Sequence, residues 1–92
     1  MLPLSWSRQS QADILRIADF YDRFDSDYAA KMVAFIRSAV SLPASFPFAG
    51  RPCARFEPRD VRDLVAGEFQ LRYEVREAEI RVLRVWHSKE DR

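Results

Sequence analysis

Two strand-like runs near the end of the chain constrain its fold more than any other feature. The first run spans Phe69–Arg76 and the second spans Ile80–His87, so only three residues separate them. Both are rich in β-branched and aromatic residues, and the first alternates apolar with polar side chains, as β-strands do. Runs this close together can pair only as an antiparallel hairpin. The sequence therefore predicts an antiparallel sheet at the centre of the fold.

Arginine occupies four interior positions of this hairpin, namely Arg72, Arg76, Arg81 and Arg84. Charged residues are depleted in strands, and arginine is rarely buried without a partner. We therefore expect one face of the hairpin to be open and cationic, and either to bind a ligand or to be covered by a partner.

Two further segments predict strands that complete a four-stranded sheet. Val61–Ala66 precedes the hairpin with a turn at Gly67-Glu68, which makes an antiparallel meander that ends in the strand Glu79–Trp86. Near the start of the chain Leu2–Trp6 alternates weakly, and Pro3 restricts it to an edge or to the start of a strand.

Between these strands, apolar residues recur at helical spacing in two segments. Ser7 or Ser10 can cap the first helix, Asp25 or Ser26 can cap the second, and Pro43 ends the second. Because only about two residues join the two helices, the pair should form an antiparallel helical hairpin. The apolar stripes are Ile14, Ile17, Ala18 and Tyr21 in the first helix, and Ala29, Met32, Val33, Ile36, Ala39 and Val40 in the second.

Residues 43–60 contain four prolines and Gly50, so we expect a connector without regular structure, which Phe46 and Phe48 hold to the core. The element order is βααβββ. One helical hairpin can cover only one face of a sheet. The predicted fold is therefore an α+β two-layer sandwich, with the helical hairpin packed on one face of a mainly antiparallel four-stranded sheet. Its size predicts that the whole chain, residues 1–92, is a single domain.

Alternation along the strands assigns side chains to the two faces of the sheet. Apolar residues of the third strand, Phe69, Leu71, Tyr73 and Val75, should face the helices. In the last strand Leu83, Val85 and His87 should face the helices, whereas Val82, Arg84 and Trp86 should lie on the open face beside Arg72.

Charge and composition exclude several classes of protein. The 15 basic and 14 acidic residues give a net charge of +1, which offers no argument for binding nucleic acid or a membrane surface. The single cysteine, Cys53, cannot form an internal disulfide, which fits a reducing, cytoplasmic environment. The first eight residues have no charged region before an apolar run, so we do not expect a signal peptide.

Cofactor sites of the usual kinds are not expected either. Two glycines cannot build a glycine-rich phosphate loop. One histidine and one cysteine cannot supply the ligands of a typical metal site.

Four sequence features, taken in order, resemble toxins of the RelE/ParE superfamily from type II toxin–antitoxin pairs. Trp6 followed by Ala12–Ile17 resembles the family's opening strand and first helix. Phe46-Pro47-x-x-Gly50-Arg51-Pro52 resembles the stretch after the second helix. The other two matches are the middle strands, Val61–Val65 with Leu71–Val75, and the ending Leu83–Arg92.

This resemblance implies one of two activities. RelE-like members are ribosome-dependent mRNA endonucleases, whereas ParE-like members poison DNA gyrase. Both kinds are held inactive by an antitoxin whose C-terminal segment folds onto the toxin. The short N-terminus, the Phe-Pro-x-x-Gly-Arg-Pro motif and the arginine-rich last strand favour a ParE-like toxin, with a ParD-like or similar antitoxin as its partner.

RNA cleavage requires a base, an acid and cations at one phosphate. The resemblance implies Arg72, Arg84 and His87 for these roles in a nuclease. The set is incomplete, because Ser88 follows His87 where some nucleases have an aromatic residue, and Gln70 stands where one subgroup has arginine. His87 is more often structural at a strand end. Arg72 and Arg84 could equally form cross-strand ion pairs with Glu74, Glu90 or Asp91.

Three hypotheses follow in order of preference. The first is a toxin that inhibits DNA gyrase through surface contacts, without catalysis. The second is a ribosome-dependent mRNA interferase, and the third is a small interaction domain that has lost toxicity. For the first, the candidate residues for binding the antitoxin or the target are Arg62, Arg72, Arg84 and Trp86, and no sequence-specific DNA binding by the chain alone is expected.

Overall fold

A computed structural model describes residues 1–90 of the chain. Its helices are α1 (Arg8–Asp22), α2 (Ser26–Ala39) and the short α3 (Ser41–Ser45), and a 3₁₀ turn spans Ala54–Phe56. Its strands are β1 (Leu4–Trp6), β2 (Arg51–Pro52), β3 (Val61–Ala66), β4 (Phe69–Val75) and β5 (Ile80–His87). The predicted α+β class and the order of its six main elements are confirmed.

The strands form one sheet in the order β1-β5-β4-β3-β2. β1 runs parallel to β5, and the other neighbours are antiparallel. The described sheet has five strands instead of the predicted four, because Arg51 and Pro52 pair with Asp63 and Arg62 at the edge. Proline is tolerated there since an edge strand can leave one side without ladder hydrogen bonds.

Side-chain caps start both long helices. The Ser7 hydroxyl accepts a hydrogen bond from the Ser10 backbone N–H, and the Asp25 carboxylate accepts from the N–H groups of Asp27 and Tyr28. The predicted end of the second helix is wrong, because α2 ends at Ala39 and Pro43 lies in the separate helix α3. Pro43 fits there because the first turn of a helix does not need its N–H.

The core lies between the helical hairpin and one face of the sheet, as predicted. The helical hairpin and the residue that follows it contribute Ile14, Ile17, Ile36 and Val40, and the strands contribute Phe69, Leu71, Val82 and Val85. Ile36 is completely buried in this layer.

The predicted alternation fails at one point in β5. Tyr73 pairs with Val82 but Arg72 pairs with Arg84, so the register shifts by one residue at Leu83. With this extra residue between them, Val82 and Val85 can lie on the same face of the sheet, although simple alternation would place them on opposite faces. Val82 therefore joins the core, contrary to the prediction, whereas Val85 and Trp86 keep their predicted faces.

The second face of the sheet is not open, contrary to the prediction. The guanidinium of Arg72 on this face lies 5.2 Å from the ring of Phe56, which belongs to the connector. On this face Trp86 is only 7% exposed, and the side chain of Arg72 is 18% exposed. The connector therefore serves as a partial cover for the face that the helices leave bare.

Tyr73, rather than the predicted phenylalanines, holds the connector to the sheet. Phe46 and Phe48 are 64% and 70% exposed, so the prediction that they are anchors is wrong. The Tyr73 hydroxyl donates to the Pro47 carbonyl and accepts from the Gly50 N–H, each at 2.8 Å. Because Tyr73 is nearly fully buried, these two hydrogen bonds also satisfy its hydroxyl group away from water.

Candidate partner-binding surfaces

Arg72 is the centre of an arginine–aromatic cluster on the second face of the sheet. Its guanidinium makes a bidentate pair with the Asp63 carboxylate, at 2.8 and 3.0 Å. It also lies 5.1 Å from the Trp86 ring and 5.2 Å from the Phe56 ring. Cation–π contacts and a fixed ion pair hold this side chain in one position. The predicted neighbourhood of Arg72 and Trp86 is confirmed, but the partner of Arg72 is Asp63.

More arginines surround the same phenyl ring. The guanidiniums of Arg55 and Arg59 lie 4.9 and 5.9 Å from Phe56. Arg59 also forms a bidentate pair with Glu74, and Arg76 donates to the same carboxylate. The Arg59 bonds in particular hold the pKa of the Glu74 carboxyl below its usual range. Much of the positive charge on this face is therefore already neutralised.

Arg84 is held at the edge of β5 by Asp13 of α1. Two guanidinium nitrogens donate to the Asp13 carboxylate at 2.8 and 3.1 Å, so the partner is neither Glu74 nor Glu90. Asp13 also accepts from Arg16 and from the Val85 N–H. Burial alone would raise the pKa of this carboxyl, but these hydrogen bonds outweigh burial and lower it. Asp91, the remaining predicted partner, lies outside the described residues.

β1 pairs only with residues Ile80 to Val82 of β5. The backbone of the following residues on the same edge is hydrogen-bonded by side chains instead of by another strand. Ser7 donates to the Leu83 carbonyl, Asp13 accepts from the Val85 N–H, and Arg16 donates to the Val85 carbonyl. Unpaired strand edges attract other chains. Helix α1 therefore both covers the core and blocks strand addition at this edge.

Arg62 lies away from Arg72. It is paired directly with Tyr73 in the ladder, so the two side chains share the helix-side face of the sheet. Its guanidinium donates to Asp60 and to the Gly50 carbonyl and lies 4.8 Å from the Phe48 ring. The four predicted binding residues therefore do not form one surface: Arg72 contacts Trp86 and is the ladder partner of Arg84, whereas Arg62 lies on the other face of the sheet.

His87 is also separated from Arg72. Its ring packs edge-on against the core residue Phe69 at a centroid distance of 5.5 Å, on the helix side of the sheet. Its Nδ1 accepts a hydrogen bond from the Lys89 N–H at 3.1 Å. Arg72 lies on the opposite face and Arg84 at the edge, so the structure does not gather the three nuclease candidates around one point.

A concave surface that the sequence did not reveal lies between α1 and the end of β5. We call it the aromatic groove; its volume is about 460 Å³, and its lining residues are Arg16, Ile17, Phe20, Tyr21, Phe69, His87, Lys89 and Glu90. Phe20 flanks the apolar stripe of α1, and its position beside that stripe was the one sign of the groove available in the sequence. Assembly of the groove needs β4 and β5 beside α1, which local patterns do not specify.

Residues 1–90 contain neither a metal-binding group of side chains nor a helix that could cross a membrane. No group of three or more His, Cys, Asp or Glu side chains there has a metal-binding arrangement. None of the described helices has both the length and the apolar character that crossing a bilayer requires. Burial raises the pKa of the Cys53 thiol, which disfavours a reactive thiolate.

Comparison with known proteins places these features in a family context. The model of a family described as the ParE toxin of the type II toxin–antitoxin system parDE matches residues 4–92. A solved structure described as a chromosomal ParDE toxin–antitoxin system from P. aeruginosa shares 30% identity and superposes with a TM-score of 0.79, covering 95% of this chain and 96% of that one.

A more distant structure has the same fold. A conserved hypothetical protein from Helicobacter pylori is 20% identical, with a TM-score of 0.59 and coverage of 98% of each chain. No curated protein sequence gives a significant match.

Proposed function

Because this chain belongs to the ParE toxin family of type II toxin–antitoxin systems, we propose that it inhibits DNA gyrase by binding and is neutralised by a cognate antitoxin. Gyrase acts on DNA inside the cell, so the proposed site of action is the cytoplasm. The proposed mechanism needs no cofactor and no proton transfer, since a tightly bound protein can block a conformational cycle through contacts alone.

The observation that supports binding over catalysis is the separation of the three candidate nuclease residues. Attack of a 2′-hydroxyl on its phosphate needs a base, an acid and a cation within hydrogen-bond reach of one phosphate group. His87 packs on Phe69 on one face, and Arg72 pairs with Asp63 on the other. Arg84 is bound to Asp13 at the strand edge. Arg72 and Arg84 are partners in the ladder, but His87 lies on the opposite face of the sheet from Arg72, so the three groups do not converge on one phosphate.

The residues predicted for binding remain the proposed contacts, with distinct roles. Arg72 would contact the partner with the 18% of its side chain that stays exposed, and the nearly buried Trp86 would hold that guanidinium in place. Arg62 would contribute at the connector, beside the exposed ring of Phe48. Arg84 would act by fixing α1 to β5, and 29% of its side chain is still exposed to solvent.

Induction of the chain in bacterial cells tests this function against ribosome-dependent mRNA cleavage. The proposal expects loss of negative supercoiling in a reporter plasmid and a DNA-damage response, while reporter mRNAs stay intact. Co-expression of the antitoxin should abolish both effects. Rapid cleavage of translated mRNA with normal supercoiling would contradict the proposal and favour the interferase.

A further inference from the structure

We propose that residues 46–49, which we call the phenylalanine turn, are the element through which the chain engages DNA gyrase. The rings of Phe46 and Phe48 would enter an apolar cleft of that enzyme with acidic groups at its rim. This inference rests on the proposed function, because it names the surface that would bind the proposed target. The turn belongs to the connector and comes just before β2, the edge strand of the sheet.

The phenylalanine turn is a β-turn that presents both of its rings to solvent. The Ala49 N–H donates to the Phe46 carbonyl at 3.0 Å, which closes the turn. Pro47 occupies the second position, which the fixed φ of proline favours. Phe46 is 64% exposed and Phe48 is 70% exposed. The turn therefore carries two large rings that lie outside the hydrophobic core.

Neither ring is explained by the needs of the turn itself. Exposed turn positions favour Gly, Asn, Asp and Ser, because these residues adopt the turn backbone easily or hydrogen-bond to it. A phenylalanine side chain offers the turn no hydrogen bond. Aromatic rings are instead enriched at the centres of protein interfaces, where a few residues carry most of the binding energy. Two such rings on one exposed turn mark a binding element.

The backbone beneath the rings is fixed by buried side chains of the sheet. The Tyr73 hydroxyl donates to the Pro47 carbonyl and accepts from the Gly50 N–H. Arg62 donates to the Gly50 carbonyl at 3.1 Å, and its guanidinium lies 4.8 Å from the Phe48 ring. A loop that is already held in its binding conformation loses little entropy when it docks, which strengthens binding. The turn is therefore preorganised to present its rings.

A projecting, rigid turn suits a folded partner that has a preformed cleft. Docking with little change of backbone is typical of protease–inhibitor complexes, in which both partners are preorganised. A flexible segment that folds on binding needs a groove or a strand edge along which to lie. Gyrase is a large folded enzyme and can enclose two projecting rings, whereas a peptide-like segment cannot.

Positive charge beside the phenylalanine turn indicates the chemistry at the rim of that cleft. Arg62 is already paired with Asp60 at 2.9 Å. Arg51 begins β2 just after the turn, is exposed, and is in none of the ion pairs described for residues 1–90. Arg51 is therefore the cation that acidic residues of the partner would meet, and such complementary charges speed association.

Removal of the two rings tests this assignment. In the double variant Phe46→Ala/Phe48→Ala both anchors are lost, and the fold should persist because neither ring is in the core. Phe24→Ala is the matched control, since Phe24 is 76% exposed between α1 and α2. The measurement is the protein concentration that halves supercoiling by purified gyrase, with circular dichroism to check the fold. We expect this concentration to rise at least about 30-fold in the double variant, as for loss of hot-spot aromatics, and to stay at the wild-type value in Phe24→Ala.

Two further measurements separate the turn's roles. Binding of the purified cognate antitoxin, followed by calorimetry on the same proteins, should be unchanged in the double variant. Tyr73→Phe keeps both rings but removes the hydroxyl that holds the turn, so the folded variant should inhibit gyrase about 5-fold less well. Full potency of Tyr73→Phe would contradict the role given to preorganisation.

The assignment is overturned if the double variant inhibits gyrase as well as the wild type, or if Phe24→Ala loses as much. Loss of antitoxin binding with unchanged inhibition of gyrase would also overturn it, because the turn would then belong to the antitoxin. In these cases the wild-type chain still inhibits gyrase, so the proposed function stands. Wild-type chain that leaves supercoiling unaffected would contradict the proposed function and this inference together.

Discussion

Asp13 is the buried carboxylate that joins α1 to β5, and its neutralisation should cost much of the stability of the fold. In Asp13→Asn the shape is kept but the charge is lost. Three charge-assisted hydrogen bonds weaken, two from Arg84 at 2.8 and 3.1 Å and one from Arg16 at 2.6 Å, whereas the new amide oxygen can still accept from the Val85 N–H.

The expected loss follows from these contacts. A hydrogen bond to a charged group contributes about 1.5–3 kcal/mol, but water can partly replace Asp13 around guanidiniums whose side chains are 29% and 40% exposed. We therefore expect a total of about 2–4 kcal/mol, out of roughly 5–14 kcal/mol for a domain of this size. The melting temperature should fall by about 10–30 °C.

The pH dependence gives this prediction a second measurement. The pKa of Asp13 lies below its ordinary value of 3.8 in the folded chain, so its contribution is complete above about pH 4 and is lost as pH falls through the folded value. The difference in urea unfolding between wild type and Asp13→Asn should be largest near pH 7 and should shrink as the pH falls below about 4. Asp19→Asn makes the same charge change at an exposed site of α1 and should stay within about 0.5 kcal/mol of wild type.

Two outcomes would refute this reasoning. Equal stability of Asp13→Asn and Asp19→Asn at neutral pH would mean that the network adds nothing to the fold. A stability difference that stays unchanged at pH 3 would mean that it does not depend on the charge of Asp13.

The remaining stability predictions concern the core and the connector. Ile36→Asp should unfold the domain, because an unpaired carboxylate at a fully buried site costs more than about 4 kcal/mol. The control Ile36→Val should cost about 0.5–1.5 kcal/mol. A cooperative melt near the wild-type temperature in Ile36→Asp would contradict the assigned helix face. Gly50→Ala should destabilise the chain, because its Cβ would lie 2.8 Å from the Tyr73 hydroxyl and 2.9 Å from the Asp63 carbonyl. Equal melting temperatures for Gly50→Ala and wild type would show that the connector can shift to accommodate the new Cβ with no loss of stability.

Local sequence signals predicted the main elements because those signals act over short distances. Helical spacing and the caps Ser7 and Asp25 lie within a few residues of the helix starts that they determine. The turn at Gly67 has a positive φ of 58°, which glycine adopts without strain, so this turn could also be predicted from its composition.

The errors concern features that only long-range packing decides. The cover on the second face depends on Phe56 meeting Arg72, and the prolines around Phe56 hide any periodic pattern. The register shift at Leu83 depends on which residues of β4 lie opposite β5. The partner of Arg84 is 71 residues away in α1, where Asp13 resembles an ordinary helix-surface acid in sequence.

The candidate site shows the same limit. The sequence correctly placed Trp86 beside Arg72, since alternation along paired strands fixes which side chains are neighbours. It did not reveal the aromatic groove, because Phe20 and His87 come from opposite ends of the chain and meet only when α1 packs beside β5.

The central claim, that this toxin acts by binding and not by cutting RNA, is tested most directly with purified components. Wild type and His87→Ala would each be added to DNA gyrase in a supercoiling assay and to ribosomes translating a defined mRNA. The account predicts that both proteins inhibit supercoiling to a similar extent, that antitoxin reverses the inhibition, and that the mRNA stays intact. Cleavage of ribosome-bound mRNA that His87→Ala slows by the ~10²–10⁴-fold expected for a lost acid–base group, with supercoiling unaffected, would contradict it.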